Sequence, residues 1–550
     1  MAKKKSRKTR RRGKSTKIKT QGAHVPSSAI SPASSTITEE AGIPALSGLL
    51  YERVSLVVLA VLSLTFVISL NLTPIYTNDF WLHLKIGDMI RETGHIPDTL
   101  LFTFTEAKDH KIVVHEWLPS LISSFLYGYI GYSGMVGFKC FLAVVIFLLA
   151  FRLSFYINRD SSISLFLAAF CILVINFRSH MRPEIFAFVY FLIHLNLMQT
   201  FLSTKKFRWL LGLLPLSVLW ANSHGSFIVN LGLPLLFLLG VALNDWWVAR
   251  TRNRKIESDQ IKQVYLPLII VNFLIVALSL LNPYGIRLLI HSFSLSQDSY
   301  IRQNIIEWFP TFHPFIRRYF YFKLYLFFCA VLLFSLIIGR KNFNFILTIL
   351  LVVFGYLSVD ANRNAAWFAI VGTYIMAYCL NGVLKTERKR LLFKGCLAVI
   401  LVVGTILVFQ KGNVRGKKPG FQRGTPMTGG ALDFIRKTGI QGNVMNSYKY
   451  GAELIYHFYP KLRVTIHSRV DAYGTEYYRR FRKISGKKWE LLGEPEELLS
   501  FLRKYDVRTI VTTRGEFLNW RYKGHVKELI NDGWKLVYRD RRTRILTKDG

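Results

Sequence analysis

The chain has 550 residues, of which 51% are hydrophobic and 14% aromatic, while only 19% are charged. Its mean hydropathy of +0.28 excludes an ordinary soluble globular protein. The five cysteines lie in or beside apolar segments without CxxC spacing, so neither a zinc site nor a disulfide framework is indicated. The composition predicts an α-helical protein that crosses a membrane many times.

The first segment, residues 1–50, is basic and poor in apolar side chains. Residues 1–20 contain eleven Lys and Arg and no acid. Such a segment buries too little apolar surface to order itself, so we predict a disordered cytoplasmic tail that contacts anionic lipid. A basic run also suits nucleic acid, but no zinc finger or aromatic platform accompanies it, and we predict no nucleic-acid partner.

About eleven apolar segments follow within residues 51–410, the predicted transmembrane domain. Their connections alternate between Lys/Arg-rich loops and loops rich in His, Asp and Glu. The positive-inside rule then places the amino terminus in the cytoplasm and the His/Asp/Glu-rich loops outside. The predicted spans are residues 54–73, 134–154, 161–177, 183–203, 207–222, 225–244, 264–282, 319–338, 342–359, 366–384 and 391–410.

Residues 117–131 decide this topology. They are apolar but shorter than the roughly 20 residues that cross a bilayer. Counting them as a span would move the basic loops at Lys205-Lys206 and 250–262 to the outside, against the positive-inside rule. We therefore interpret them as an interfacial helix, which makes residues 74–133 a long first outer loop.

The first outer loop carries the densest polar chemistry in the chain. Asp79 and His83 are four residues apart and share one face of a helix, and His115-Glu116 follows downstream. A carboxylate at the membrane edge among aromatic residues is a candidate general base. Two alternatives stay open. The first is that Asp79 only caps the following helix. The second is that Asp79, His83, His115 and Glu116 bind a metal ion, although HExxH and Asp-x-Asp spacings are absent and no metal cofactor is indicated.

The second outer loop contains Arg178 and Arg182, directly before Pro183-Glu184. Proline suits the first turn of the next helix, and an anion is favoured beside a helix amino terminus. We therefore predict a phosphate pocket there. The alternative is that arginines at span ends only reach lipid head groups.

Further outer turns each carry an ionisable or amide side chain, at residues 220–225, 282–285, 307–310 and 360–364. Polar groups at membrane depth are costly and often functional, so we predict that these turns line one cavity together with the first two outer loops. His224 belongs to this set. Asp360 and Arg363 form either a local ion pair or a ligand contact.

Residues 411–550 have a different character. Glycine-rich turns separate short β-type runs at 442–445, 462–466, 507–511 and 534–538 from helical stretches around 428–438, 449–459 and 494–504. This pattern predicts a soluble α/β domain. An odd number of spans places it outside the cell, despite its basic excess.

Five runs resemble the GT-C superfamily of integral membrane glycosyltransferases, and in particular a mannosyltransferase-like bacterial branch. The resemblance covers roughly residues 50–480 and rests on Asp79–Gly87, His115–Leu118, Arg182–Glu184, Tyr450–Ile455 and Ser468–Asp471. It implies a sugar donor linked to polyprenyl phosphate and an inverting displacement. Asp79 would then act as base on the acceptor hydroxyl, and Arg182, Arg178 or Arg363 would stabilise the departing phosphate.

The sequence departs from the GT-C pattern in two respects: Asp79 is followed by Phe instead of Glu, and no Asp-x-Asp pair is present.

We predict a glycosyltransferase whose partners are the lipid-linked sugar donor, the surrounding membrane lipids and an acceptor of unknown identity. The alternatives are a transporter or flippase for a lipid-linked or anionic solute, and a noncatalytic assembly factor. The predicted catalytic residues are Asp79, Glu116 and His83, and the predicted substrate-binding residues are His115, Arg178, Arg182, Glu184, His224 and Arg363.

Overall fold

A computed structural model has a bundle of apolar helices followed by a small mixed sheet near the carboxyl terminus. The structure describes residues 43–252, 258–342, 344–424, 426–485, 495–513 and 523–548. Most of the predicted basic tail, residues 1–50, lies outside the described residues. The predicted fold class, a polytopic helical membrane protein with a carboxyl-terminal α/β region, is confirmed.

Each of the eleven predicted spans coincides with helical structure. Within the described residues, seven helices are long and apolar enough to cross a bilayer, and three more are apolar but shorter. Ala365–Cys379 is almost wholly buried, because other helices surround it on all sides. The helices before the last domain are Ile43–Asn71, Asp79–Thr93, Trp117–Asn158, Ser161–Ile175, Pro183–Thr204, Arg208–Leu211, Leu213–Ala221, Phe227–Arg252, Ser258–Gln260, Ile261–Tyr265, Leu266–Ser279, Ile286–Gln297, Ser299–Asn304, Phe320–Ile338, Phe345–Asp360, Ala365–Cys379 and Glu387–Lys411.

The helix Trp117–Asn158 is interrupted at Gly131, where φ is 60° and ψ is −166°. Glycine tolerates this conformation because it has no Cβ atom. Residues 117–130 therefore form a helix distinct from the span that follows, and this helix packs against Asp79–Thr93. The two helices are closest at Gly87, where an added Cβ atom would overlap the Ser120 carbonyl.

Substituting Gly87→Ala should destabilise the protein by about 1–3 kcal/mol, because the added methyl group overpacks this contact. It would push the helix that carries Asp79 away from the helix that follows Glu116. Thermal unfolding of the purified protein in detergent measures the effect. Gly128→Ala is the matched control, since its Cβ would meet only the Arg91 side chain at 3.8 Å. Equal melting temperatures for both variants would contradict the close packing.

The carboxyl-terminal region forms a five-stranded sheet within the described residues, in the order β2-β1-β3-β5-β4. The strands are β1 Gly442–Asn446, β2 Leu462–Val464, β3 Thr509–Thr513, β4 Trp534–Arg539 and β5 Thr543–Lys548. β1 is parallel to β2 and β3, and β5 is antiparallel to β3 and β4. Strand β5 was not predicted from the sequence. The accompanying helices are Gly429–Thr438, Gly451–Phe458, Val470–Tyr473, Thr475–Ser485, Pro495–Lys504 and Lys523–Asn531.

This domain packs onto the first outer loop. The Val464 amide at the edge of β2 donates to the Phe102 carbonyl at 3.0 Å. On the helix Asp79–Thr93, the Trp81 ring lies 5.0 Å from the Tyr456 ring and 4.7 Å from the Arg423 guanidinium carbon. Aromatic and cation–π contacts of this kind favour a defined geometry. They fix the helix that begins at Asp79 relative to the domain.

Candidate functional site

The polar loops meet at one cavity of about 420 Å³. Residues from the helix-connecting loops line it on one side, and residues 468–471 of the carboxyl-terminal domain line it on another. All nine side chains predicted for the site are part of its wall: Asp79, His83, His115, Glu116, Arg178, Arg182, Glu184, His224 and Arg363. Their roles, and the face of the membrane on which they lie, stay predictions.

Asp79 is the first residue of its helix, and its carboxylate contacts Arg182. Asp79 Oδ2 lies 2.6 Å from Arg182 Nη2. The N-cap position belongs to Asn78, whose side chain makes no capping hydrogen bond. A carboxylate in the first turn is favoured by the helix dipole. Asp79 is therefore held in a defined orientation at the edge of the cavity.

Arg178 and Arg182 are matched by carboxylates. Arg178 Nε donates to Glu184 Oε2 at 2.8 Å, and Arg178 Nη1 lies 3.0 Å from Glu307 Oε1. Arg182 Nη1 lies 2.6 Å from the same Glu307 oxygen. Burial disfavours a charge on Glu307, but the two guanidinium groups hold its pKa well below the ordinary value. Arg178 and Arg182 thus belong to an ion network. The predicted phosphate pocket at these two arginines contains three acidic side chains, those of Asp79, Glu184 and Glu307.

Arg363 differs from the other two arginines. Its guanidinium carbon lies 4.7 Å from the ring centre of Trp308, a cation–π contact. Among the described residues, no carboxylate oxygen lies within 4 Å of it. Asp360 instead pairs with Arg302, with 2.5 Å between Nη2 and Oδ1. The alternative of a local Asp360–Arg363 ion pair is therefore wrong, and Arg363 faces the cavity with its charge unmatched.

Glu116 lies among three histidines. Its carboxylate oxygens are 3.5 Å from His83 Nε2, 3.7 Å from His115 Nε2 and 3.8 Å from His224 Nε2. The Nδ1 atoms of His83 and His224 are bound by serine hydroxyls, those of Ser120 at 2.8 Å and Ser226 at 2.7 Å. These bonds orient both rings, so that their Nε2 atoms point towards the carboxylate.

Burial determines the protonation of this cluster. It lowers the pKa of His83 to about 4 and that of His115 to about 3, and it holds the pKa of His224 well below the ordinary value. The three rings are therefore neutral near pH 7. Burial also raises the pKa of Glu116 to about 7, an effect that the positive charge of Arg469 partly offsets. Glu116 thus changes charge within the physiological range.

Four further ionisable side chains in the cavity wall were not predicted as site residues: His291, Glu307, Arg469 and Asp471. Glu307 lies in a predicted outer turn, and Arg469 and Asp471 belong to one of the runs that resemble the GT-C superfamily. Arg469 Nη2 lies 2.5 Å from Asp471 Oδ2 and donates to the Val113 carbonyl at 2.8 Å. This guanidinium therefore ties the carboxyl-terminal domain to the loop that carries His115 and Glu116.

The alternative prediction of a metal site concerns Asp79, His83, His115 and Glu116. Within the part of the chain that the structure describes, no three His, Cys, Asp or Glu side chains converge closely enough to hold a metal ion. A zinc ion needs ligand atoms about 2.0–2.3 Å from one point. Asp79 contacts a guanidinium group instead, and we derive no step through a metal.

No protein-family model matches the sequence, and no curated protein matches it. Solved structures, in contrast, resemble this protein in fold. The apo oligosaccharyltransferase of Archaeoglobus fulgidus is 14% identical, with a TM-score of 0.56 over 84% of this chain and 69% of that chain. The protein therefore shares the fold of this archaeal enzyme.

Two more structures of the same archaeal enzyme agree with this assignment. Its complex with an inhibitory peptide and a dolichol-phosphate gives a TM-score of 0.58 at 14% identity, over 84% of this chain and 70% of that chain. Its complex with Zn and sulfate gives 0.56 at 14% identity, over 83% and 68%. The GT-C fold predicted from the sequence motifs is thereby confirmed. Identity this low establishes the fold alone, so the chemistry must be argued from the cavity.

Proposed function

We propose that this GT-C protein transfers a sugar from a polyprenyl-phosphate donor to an acceptor at the outer face of the cytoplasmic membrane. One observation carries the proposal: the carboxylates of Asp79 and Glu116 share a cavity with the unmatched cation of Arg363, where apolar helices end. The archaeal enzyme of the same fold was solved with a dolichol-phosphate and an inhibitory peptide. That complex supports a lipid-linked donor and a separate acceptor.

Asp79 is the proposed base. It removes the proton from the acceptor hydroxyl while that oxygen attacks the anomeric carbon of the sugar. The bond between the anomeric carbon and the phosphate oxygen breaks, and the lipid phosphate leaves with the electron pair. Attack and departure on opposite faces invert the configuration. Arg182 positions the base through the 2.6 Å ion pair.

Glu116 and His83 are the proposed partners of the base. When ionised, Glu116 accepts a hydrogen bond from a hydroxyl group of the acceptor or the sugar. His83 is neutral and lies on the same helix face as Asp79, with its Nε2 3.5 Å from Glu116. Because its Nδ1 is bound to the Ser120 hydroxyl at 2.8 Å, His83 positions the Glu116 carboxylate in the cavity.

Arg363 is the proposed partner of the departing phosphate. Charge develops on the phosphate as the glycosidic bond breaks, and a preorganised cation stabilises it most where water is excluded. Arg178 and Arg182 already neutralise carboxylates. Arg363 lies on the cavity wall against the Trp308 ring, and no carboxylate oxygen of the described residues is within 4 Å of it, so its charge is available to the phosphate.

Substituting Arg363→Gln should lower kcat by roughly 10²–10³, the usual effect of losing one preorganised group that stabilises charge in a transition state. Initial rates of sugar transfer in detergent would measure the loss. Arg318→Gln is the matched control, because Arg318 is exposed in the connection that carries Trp308 and lies outside the cavity wall. Equal rates for the two variants would assign the phosphate to another cation.

The acceptor is proposed to enter through an adjoining cavity of about 320 Å³. This second cavity shares Asp79, Arg182 and Glu307 with the first and is lined by Tyr448 and Tyr478 of the carboxyl-terminal domain. A hydroxyl group held there would lie beside the Asp79 carboxylate. Two cavities that meet at the proposed base suit a reaction between two substrates.

A reconstituted transfer assay tests the proposed function. The purified protein in liposomes is incubated with a polyprenyl-phosphate sugar labelled in the sugar and with a cell-envelope extract as acceptor source. Release of polyprenyl phosphate, together with label in a non-lipid product, is the expected result. Redistribution of intact donor between leaflets without cleavage would identify a flippase and reject the proposal.

The proposed sidedness has its own test. A cysteine introduced at His95, which is exposed in the first outer loop, should react with a membrane-impermeant thiol reagent in intact cells. Labelling only after the membrane is broken would place the loop, and with it Asp79, on the cytoplasmic face.

Elemental analysis of the purified protein measures its metal content.

A further inference from the structure

The segment between the last predicted span and the carboxyl-terminal domain is strongly basic. Residues 411–424 contain five cationic side chains and no acid: Lys411, Arg415, Lys417, Lys418 and Arg423. On the proposed topology this segment is outside, where the positive-inside rule gives no reason for a cluster of cations. Its charge therefore points to a role other than setting the topology.

The segment has a defined conformation. Asn413 Oδ1 accepts hydrogen bonds from the amides of Arg415 at 3.0 Å and Lys417 at 3.2 Å, which closes a tight turn. Asn413 Nδ2 donates to the Leu70 carbonyl at 3.2 Å. The Gly420 amide donates to the Leu72 carbonyl at 2.8 Å. The turn is thus fixed against the end of the helix Ile43–Asn71, and it presents its side chains from a rigid backbone.

Two side chains of this turn, Arg415 and Lys417, project towards the second outer loop and the start of the first. Arg415 is exposed, and its Nη1 lies 2.8 Å from His180 Nδ1. Lys417 Nζ lies 4.3 Å from the centre of the Tyr76 ring. We call these two residues the basic junction. Among the described residues, neither of them has a carboxylate oxygen within 4 Å.

The surroundings of the basic junction are positive as well. Lys139 is buried beside it and donates only to neutral groups, the Thr73 carbonyl at 2.6 Å and the Thr73 hydroxyl at 3.1 Å. Burial holds the pKa of His180 well below its ordinary value, and so do four nearby cations: Arg415, Arg182, Arg178 and Lys139. Arg178 and Arg182 are paired with carboxylates, so the cations without a carboxylate partner among the described residues are Arg415, Lys417 and Lys139. Guanidinium and ammonium groups in such a setting bind phosphate.

We propose that the basic junction is a phosphate site for the head group of a lipid in the outer leaflet, beside the transfer cavity but separate from it. The turn is bound to the end of the apolar helix Ile43–Asn71, and on the proposed topology the end of a span is where lipid phosphates lie. Arg415 supplies a planar set of donors and Lys417 a point charge. The proposal uses the proposed topology but does not depend on sugar transfer.

Lipid binding by the full-length protein in a neutral detergent tests this site. The probes are farnesyl phosphate, its uncharged analogue farnesol and dioctanoyl phosphatidylglycerol. The double variant Arg415→Gln with Lys417→Gln should bind at least one phosphate-bearing probe roughly tenfold more weakly, since two charge-assisted contacts are lost. Farnesol binding should not change. The matched control is Lys437→Gln with Lys461→Gln, two exposed lysines elsewhere on the domain.

The pattern of weakening identifies the lipid. Weakening for farnesyl phosphate alone supports a site for polyprenyl phosphate, and weakening for phosphatidylglycerol supports a site for bulk anionic phospholipid. Unchanged binding of both phosphate probes, or equal weakening in the control variant, overturns the proposal. Lys417→Gln alone repeats the test if the double variant does not fold. Because no transfer is measured, a failed transfer assay leaves this result unaffected.

Discussion

Replacing Asp79 with asparagine should reduce sugar transfer by roughly 10²–10⁴, the range for losing a positioned general base. Asparagine has nearly the same shape, but its amide cannot take the proton from the acceptor hydroxyl. The ion pair with Arg182 Nη2 at 2.6 Å would also become a weaker, neutral contact. Initial transfer rates under saturating donor, with the amount of membrane-inserted protein measured in parallel, give the size of the loss.

The matched control for this substitution is Asp98→Asn. Asp98 lies in the same outer loop and pairs with Lys111 at 2.7 Å, but it is exposed and outside the cavity wall. We expect its activity to equal that of the unsubstituted protein. Full transfer by the Asp79→Asn variant would remove Asp79 as base and leave Glu116 as the remaining carboxylate for that role.

Transfer should rise with pH through about 7, because burial raises the pKa of Glu116 to about 7 and the ionised carboxylate is the stronger hydrogen-bond acceptor. Below that pH the group is protonated and the rate falls. His83 and His115 have pKa values of about 4 and 3, so neither changes charge in this range. Values of kcat/KM measured between about pH 5.5 and 8.5 report this ionisation of the free protein.

Glu116→Gln should abolish this acid limb and leave a low, flat profile. His95→Gln is the control, because an exposed histidine is the other common source of a transition near neutral pH. Its profile should match that of the unsubstituted protein. An acid limb that persists in Glu116→Gln would assign the ionisation to the substrate or to another group.

The helices and the convergence of polar loops could be predicted from sequence. Apolar segments are local features, and the alternation of basic and acidic or histidine-rich connections assigns each loop to one face. That assignment brought together Asp79, Glu116, Arg182 and Arg363 from three separate loops, and the structure places all four in one cavity wall. The helix Ile286–Gln297, which carries His291, was missed because its twelve residues, half of them polar or charged, are too few for a span.

The partners of these side chains could not be predicted. Arg178 and Arg182 were expected to leave their charges free for a phosphate, but Glu307, from a remote loop, neutralises both. Asp360 was considered as a partner of Arg363, three residues away, yet it pairs with Arg302. Ion pairs depend on distances of a few ångströms between groups that are far apart along the chain, and sequence spacing does not report such distances.

The amino-acid sequence by itself determined the membrane class, the positions of the helices, the GT-C resemblance and the polar residues of the site, because hydropathy and loop charge act locally along the chain. Only the tertiary structure decided which charges are matched and which are free. Glu116 reaches a pKa of about 7 because the packing of His83, His115 and His224 removes water from around it. Arg363 and Arg415 keep unmatched charges because no acidic side chain among the described residues is packed against them.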